Sequence, residues 1–177
     1  MKQELLLHCC CAPCSSAILE ELSEYFDITL YFYNPCITDW DEYTVRRAEV
    51  MSLVEELCVD VDVVVEPFEP KDFYESVAKN AEHYPEGGKR CKACYSQRLA
   101  KTAQYAKTHG WKYFSTTLTI SPYKDSAVIN SIGTNLGGAY GVMYMPFDFS
   151  YLYIRSLELC EQYELYQQNY CGCEYSQ

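Results

Sequence analysis

Glycine is scarce in this chain, 8 among 177 residues, and none falls where a nucleotide-binding fold would need one. The turn after the first apolar run reads "CCCAPCS". A phosphate cradle at that point uses a glycine-rich or Ser-Gly-Gly turn, so that backbone N–H groups can close on the anion. Use of ATP is therefore not expected. No GxGxxG follows a strand either, so a bound nicotinamide or flavin is not indicated. Long apolar runs are missing as well. None approaches a membrane-spanning length, and "MKQELLL" is too short for the apolar region of a signal peptide. These absences lead us to expect a soluble, cytoplasmic protein with no membrane partner, built as one domain over residues 1–177. Repeats, low-complexity segments and linkers are also lacking. Basic residues are outnumbered, and the net charge of −11 taken alone argues against a nucleic-acid partner.

The charge is unevenly spread. Residues 79–112 hold Lys79, Lys89, Arg90, Lys92, Arg98, Lys101, Lys107 and Lys112 against Glu82 and Glu86, a local +6 that leaves the remainder at −17. Such a segment can offer a basic face to phosphates, or be an ordinary solvated helix surface.

Strand-like and helix-like segments alternate. Strands are expected at 4–9, 27–35, 61–68, 111–119 and 142–149, and helices at 15–26, 41–57, 70–84, 91–110, 121–137 and 151–168. Ser15 and Ser16 can cap the first helix, and Gly110 stops the fourth. Strands joined by helical crossovers imply an α/β fold, a parallel sheet with helices on both faces. In such a sheet, ligands sit beyond the carboxyl ends of the strands where the strand order reverses, which is where the thiol-rich turn falls if the first strand is central.

What the chain has in quantity is cysteine: eleven, an odd number that rules out complete internal pairing. In a reducing compartment this count points to metal or redox chemistry. Cys10, Cys11 and Cys14 lie in the first cluster. Cys91 and Cys94 form a CxxC, a spacing that puts both sulfurs on one helix face but is shared by redox dithiols. Cys171 and Cys173 flank Gly172, which lets the backbone turn tightly enough for both sulfurs to point one way. Seven thiols from three distant stretches exceed the four of a structural zinc or an iron–sulfur cubane. The surplus can bind a second metal or form a reversible disulfide. Cys9, Cys36, Cys58 and Cys160 fall outside the pattern and read as small buried hydrophobes.

The segments "LHCCCAPCSS", "FYNPCI", "EYTVRRAE", "RCKACYSQRL", "FSTTLTISPYKD" and "LYQQNYCGCEYS" resemble the QueH family of epoxyqueuosine reductases, in order and over nearly the whole chain. The resemblance implies a fold like that of the adenine nucleotide α-hydrolases (the HUP type), used without ATP. It implies reduction of epoxyqueuosine to queuosine at the wobble position of tRNA, the last step of queuosine biosynthesis. It also implies a 4Fe–4S cluster with a second iron or a redox pair beside it, and an external electron donor. Carried over by position, Cys10, Cys11, Cys91 and Cys94 hold the cubane. Cys14, Cys171 and Cys173 hold a second iron, or the last two form the reversible disulfide. The runner-up is a crossed assignment, with one member of each close pair on each centre. Cys36 stands where relatives usually carry asparagine, which suggests a neutral packing position.

Further expectations concern single residues. Arg46, Lys89, Arg90, Lys92, Arg98 and Lys101 are candidate tRNA contacts; for Arg46 the alternative is an ion pair with Glu42. Tyr84, Tyr95 or Tyr123 can stack an unpaired anticodon base, whereas Tyr31, Tyr33, Tyr144 and Tyr166 are expected in the core. Tyr123 and Asp148 are candidate proton donors, and His8 can hydrogen-bond a cluster sulfur or be a core histidine. Two rival functions use the same cysteines. A tRNA sulfur-transfer enzyme should carry the adenylating Ser-Gly-Gly turn that is missing here, and a zinc-stapled non-catalytic protein should be colourless.

Overall fold

The structure, a computed structural model, describes residues 2–57, 59–79 and 81–176. Five parallel strands form one sheet in the order β3-β2-β1-β4-β5. They are β1 Gln3–Cys9, β2 Phe26–Phe32, β3 Asp62–Val65, β4 Tyr113–Thr116 and β5 Met143–Tyr144. The helices are α1 Ala12–Leu22, α2 Trp40–Glu56, α3 Pro70–Ser76, α4 Lys89–His109, α5 Ser126–Tyr140 and α6 Tyr153–Gln162. β1 is central and pairs with both β2 and β4, so the strand order reverses beside it. The crevice of an open parallel sheet therefore opens beyond Cys9.

The alternation of side chains along the strands divides the core into two halves. Leu5, Leu7, Ile28, Leu30 and Phe32 pack with Leu19 and Leu22 of α1, Leu53 of α2 and Leu159 of α6. Leu6, Tyr31, Phe114 and Tyr144 pack on the other face with Leu99 and Ala103 of α4 and Ile129 of α5. His8 belongs to this second face and is fully buried. Its Nε2 lies 3.1 Å from the Tyr33 carbonyl, which can only accept, so Nδ1 accepts from the Thr116 hydroxyl at 2.9 Å. Burial, and then Arg98, lower its pKa to about 4. His8 is thus a neutral core histidine with both nitrogens used, and among the described residues it makes no bond to a sulfur.

Local chemistry moves several boundaries from their sequence expectation. α1 begins at Ala12–Pro13, inside the thiol turn, because proline's fixed φ suits the first helical positions. Ser15 and Ser16 are not caps: their hydroxyls donate back to the carbonyls of Cys11 and Pro13, at 2.8 and 3.0 Å. β4 ends early because the Thr116 hydroxyl accepts from Leu118 N–H at 3.2 Å and turns the chain into a 3₁₀ segment, Thr117–Ile120. β5 spans only two residues, and Pro146 just beyond it has no N–H to continue a ladder. α3 stops at Ser76, followed by a 3₁₀ turn at Ala81–His83 instead of a helix to Tyr84. α6 stops at Gln162 rather than 168, and Glu164 beyond it takes a left-handed φ of 50°. No helix among the described residues is long and apolar enough to cross a membrane.

Candidate metal centre

Two helices start at the carboxyl edge of the sheet, and both carry thiols in or beside their first turns. Cys10 and Cys11 precede α1 and Cys14 lies in its first turn, while Cys91 and Cys94 occupy the first turns of α4. The positive end of a helix dipole favours thiolate over thiol. The sulfurs of Cys10, Cys11 and Cys14 all lie within 4.8 Å of one another, with Cys10 and Cys11 3.6 Å apart. Hydrogen bonds from Cys11 and Cys14 hold the Cys10 thiol well below the usual range. The same bonds push Cys11 up to about 12 and raise Cys14. A trio of this kind keeps one anion and two donors until a metal displaces the protons.

Cys36 joins the site. It is 1 % exposed, in the turn after β2, and its thiol is within the influence of Cys94. That influence, opposed by burial and aided by Arg98 and Arg46, brings Cys36 down to about 6, while Cys94 moves up. Sequence reading had placed Cys36 among packing residues, and only the turn at Asn34–Ile37 reveals otherwise. Cys9 and Cys160 are buried in the core as expected, and Cys58 lies outside the described residues.

The tail that carries Cys171 and Cys173 is bound by two buried arginines. Arg46 of α2 pairs through Nε with Glu42 at 2.6 Å and donates Nη1 and Nη2 to the carbonyls of Cys171 and Tyr170, at 3.1 and 3.2 Å. Arg90 of α4 donates to the carbonyls of Ala81, Tyr84 and Tyr175, at 3.0, 2.8 and 3.4 Å. Gly172 fits against Arg46 and Ile37 at φ 109°, where a Cβ would lie 2.9 Å from Ile37 Cγ1 and 3.0 Å from Arg46 Nη1. Cys171 and Cys173 are thereby brought into the field of Cys36, and burial raises both thiols, Cys173 to about 11.

A pocket of about 510 Å³ opens onto Cys10, Cys14 and Cys171, with Arg98, Lys124 and Tyr123 also on its wall. Burial works against the charge of Lys124, yet Cys171, Cys14 and Cys10 beside it outweigh this and raise its pKa. Lys124 went unread in the sequence, and its adjacency to Tyr123 in "SPYKD" was the available signal. Arg98 lies behind the thiols, 1 % exposed, and Cys36, Cys94, Cys171 and Cys10 around it outweigh its burial and raise its pKa. Its Nη1 reaches Asn34 Oδ1 at 3.5 Å, and Nε and Nη2 have no partner among the described residues. A buried guanidinium with idle donors calls for negative charge nearby. An all-sulfur donor set around it suits a soft metal or an iron–sulfur core. The residues present fit such a group.

The remaining candidates separate clearly. Arg46, Arg90 and Arg98 are 2, 4 and 1 % exposed and engaged inward, so a surface role in gripping phosphate, read from sequence, is replaced by an internal one. Lys89 and Lys92 are exposed at the thiol end of α4. Lys101 lies over the Tyr33 ring at 5.6 Å and lines a second pocket with Gln97 and Tyr140. It is seven residues beyond Cys94, about 10 Å at 1.5 Å per residue. Tyr95 is buried, Tyr84 half-buried and Tyr123 83 % exposed. Tyr31, Tyr33 and Tyr144 are core residues, but Tyr166 is exposed and donates to Glu42 Oε2 at 2.9 Å. Asp148 is exposed, accepts from Ser150 N–H at 3.1 Å and does not line the pocket.

Fold and site together define an α/β protein with a five-stranded parallel sheet and a group of thiols in the crevice beyond its central strand. A solved structure of the same fold is the U34-tRNA thiolase NcsA from Methanococcus maripaludis with its [4Fe-4S] cluster, at TM-score 0.56 and 14 % identity over 99 % of this chain and 62 % of that one. The sequence profile described as epoxyqueuosine reductase QueH matches residues 5–177. Relatives bearing that name include those of Streptococcus pyogenes serotype M1, 41 % identical over 99 % of this chain and 71 % of the relative, and Staphylococcus epidermidis, 39 % identical over 99 % and 76 %. That of Thermotoga maritima is 34 % identical over 97 % and 89 %. The chain belongs to the QueH family of epoxyqueuosine reductases.

Proposed function

We propose that the pocket bounded by Cys10, Cys14, Cys171 and Lys124 reduces epoxyqueuosine at the tRNA wobble position, in the cytoplasm, with electrons from an external donor. The observation that carries this reading is the convergence of distant thiols on one pocket, backed by the unsatisfied guanidinium of Arg98. Cys10, Cys11, Cys91 and Cys94 would hold a 4Fe–4S cluster. Cys14, Cys171 and Cys173 would hold a second iron, or Cys171 and Cys173 a reversible disulfide. When bound, these groups supply two electrons and a Lewis acid for the epoxide oxygen.

The chain's own residues supply the rest. Turning an epoxide into an alkene consumes two electrons and two protons and releases the oxygen as water. Lys124 carries its proton at the pocket wall and donates from Nζ to the departing oxygen, and the second proton enters from solvent at the mouth. Exposed Tyr123 stacks on an unpaired base at the rim. Lys89 and Lys92 lie at the same end of α4 and take phosphate contacts, Lys101 a more distant one.

The test is direct. Anaerobically purified protein, brown and iron-bearing, is mixed with a chemical reductant and tRNA containing epoxyqueuosine, and nucleosides are quantified by mass spectrometry. Accumulation of queuosine is the expected result. A colourless, zinc-bearing protein with no turnover would sink the proposal.

A further inference from the structure

Acids outnumber bases across the chain, 25 to 14, yet the wall of the thiol pocket reverses that ratio. Arg46, Arg98 and Lys124 line it, and Glu86 is the one carboxylate among its described lining residues. The loop before α4 puts Glu86 there. Gly88 N–H donates to the Pro85 carbonyl at 3.0 Å, and Gly87, at a left-handed φ of 76°, donates its N–H to Cys91 Sγ at 3.2 Å. A Cβ on Gly88 would lie 2.9 Å from the Pro85 oxygen, so glycine is what closes the turn this tightly. Glu86 thus precedes the residue that bonds a thiol of the centre. Its carboxylate is unspent: Glu42 and Glu20 are taken by Arg46 and Arg155, whereas Glu86 has no ion pair or hydrogen bond among the described residues.

We propose that Glu86 is the subsite for the cationic part of the substrate: its carboxylate pairs with the protonated secondary amine that links the 7-deazaguanine base to the ring bearing the epoxide. This rests on the reductase reading given above. An amine of this kind carries its proton at neutral pH, as lysine does, and it is attached to the ring carbon next to the epoxide. Arg46, Arg98 and Lys124 repel such a cation, which leaves Glu86 as the one carboxylate on the wall to receive it. The pairing sets the epoxide one carbon from the contact, inside the pocket that holds Cys10, Cys14, Cys171 and Lys124. In the free protein Glu86 is exposed, where an ion pair contributes little. Covered by the substrate, it makes a charge-assisted hydrogen bond, roughly twice as strong as a neutral one. The contact therefore selects the modified nucleotide, because an ordinary guanine at the wobble position has no cation to offer.

Anaerobically purified wild type and Glu86→Gln are titrated with two anticodon stem-loops, one with guanine and one with 7-aminomethyl-7-deazaguanine at the wobble position. At neutral pH the wild type should bind the aminomethyl form about tenfold more tightly. Glu86→Gln should bind both forms alike, with its affinity for the guanine form unchanged. Raising the pH until the amine loses its proton should erase the wild-type preference. A preference that survives in Glu86→Gln overturns the proposal. Equal weakening of both stem-loops makes Glu86 a support for the start of α4 and overturns it too. Turnover of epoxyqueuosine-containing tRNA by the same samples keeps the two readings apart. A wild type that turns over without any amine preference loses the Glu86 subsite alone, and one that shows the Glu86-dependent preference without turnover loses the reductase reading alone.

Discussion

The thiols at the sheet edge and the thiols of the tail are held by different forces. Cys10, Cys11, Cys14, Cys91 and Cys94 ride on the starts of α1 and α4, whose backbones are fixed by helical hydrogen bonds and by packing on the central strands. Cys171 and Cys173 have no regular element, and a short 3₁₀ turn at Glu174–Ser176 follows them. Their position comes from arginine donors reaching main-chain carbonyls, from Gly172 wedged against Ile37, and from Tyr166 bonded to Glu42 and Glu49. The first region would keep its shape without the second, but the reverse does not hold. A centre that must bind a large substrate next to its metal gains from having one wall that can be displaced more easily than the other.

The sharpest way to break this comparison is to remove tail thiols. Cys171→Ser or Cys173→Ser should eliminate epoxide reduction while leaving the cubane absorption largely intact, as read by turnover and visible spectra of the same samples. Loss of the cubane in either variant would favour the crossed ligand assignment and merge the two regions. Next comes Arg46→Ala, which strips Glu42 and two carbonyls of their partner. Breaking a buried ion pair costs about 3–5 kcal/mol, so a lowered thermal midpoint should accompany at least a hundredfold loss of turnover. Iron held by the sheet-edge thiols should persist. Gly172→Ala is milder. Its positive φ and the contacts with Ile37 and Arg46 should cost about 1–3 kcal/mol, and limited proteolysis should cut the tail faster while sparing the sheet. The smallest effect concerns tRNA. Lys89→Gln with Lys92→Gln should weaken binding of an anticodon stem-loop and flatten its salt slope, whereas Lys101→Gln should do less, because it lies farther along α4. Equal effects would extend the tRNA surface along the whole helix.

Much of this was legible in the sequence because it lies in local pattern. Alternating apolar segments place the parallel sheet, and a thiol-rich turn in place of a glycine cradle marks the crevice once β1 is found to be central. Side-chain destinations were harder. Arg90 and Arg98 look like surface charges on a lysine-rich helix, yet their burial depends on a tail some eighty residues away and on Asn34 across the sheet. Spacing alone could not show that Cys36, outside every motif, is buried in the turn after β2 within the influence of Cys94 and Arg98. Nor could it show that Asp148 turns to Ser150 and away from the pocket while Lys124, one residue from a named candidate, takes the pocket wall. The early stops of β5 and α6 come from Pro146 and from a left-handed Glu164, both local, but the helical periodicity of 151–168 masked the second.

Arg98 also bears on the stability of the chain. A fully buried guanidinium with two unused donors is a standing liability for the empty chain, and a hydrophobic residue of similar volume is often neutral or stabilising at such a site by about 1–4 kcal/mol. Selection for stability alone would replace it. A group that binds only the folded chain and supplies the missing charge is expected to stabilise it, so the loaded form should resist unfolding better than the unloaded one. The side chain that would hold the site's negative charge is thus also the one whose comfort depends on that charge being there.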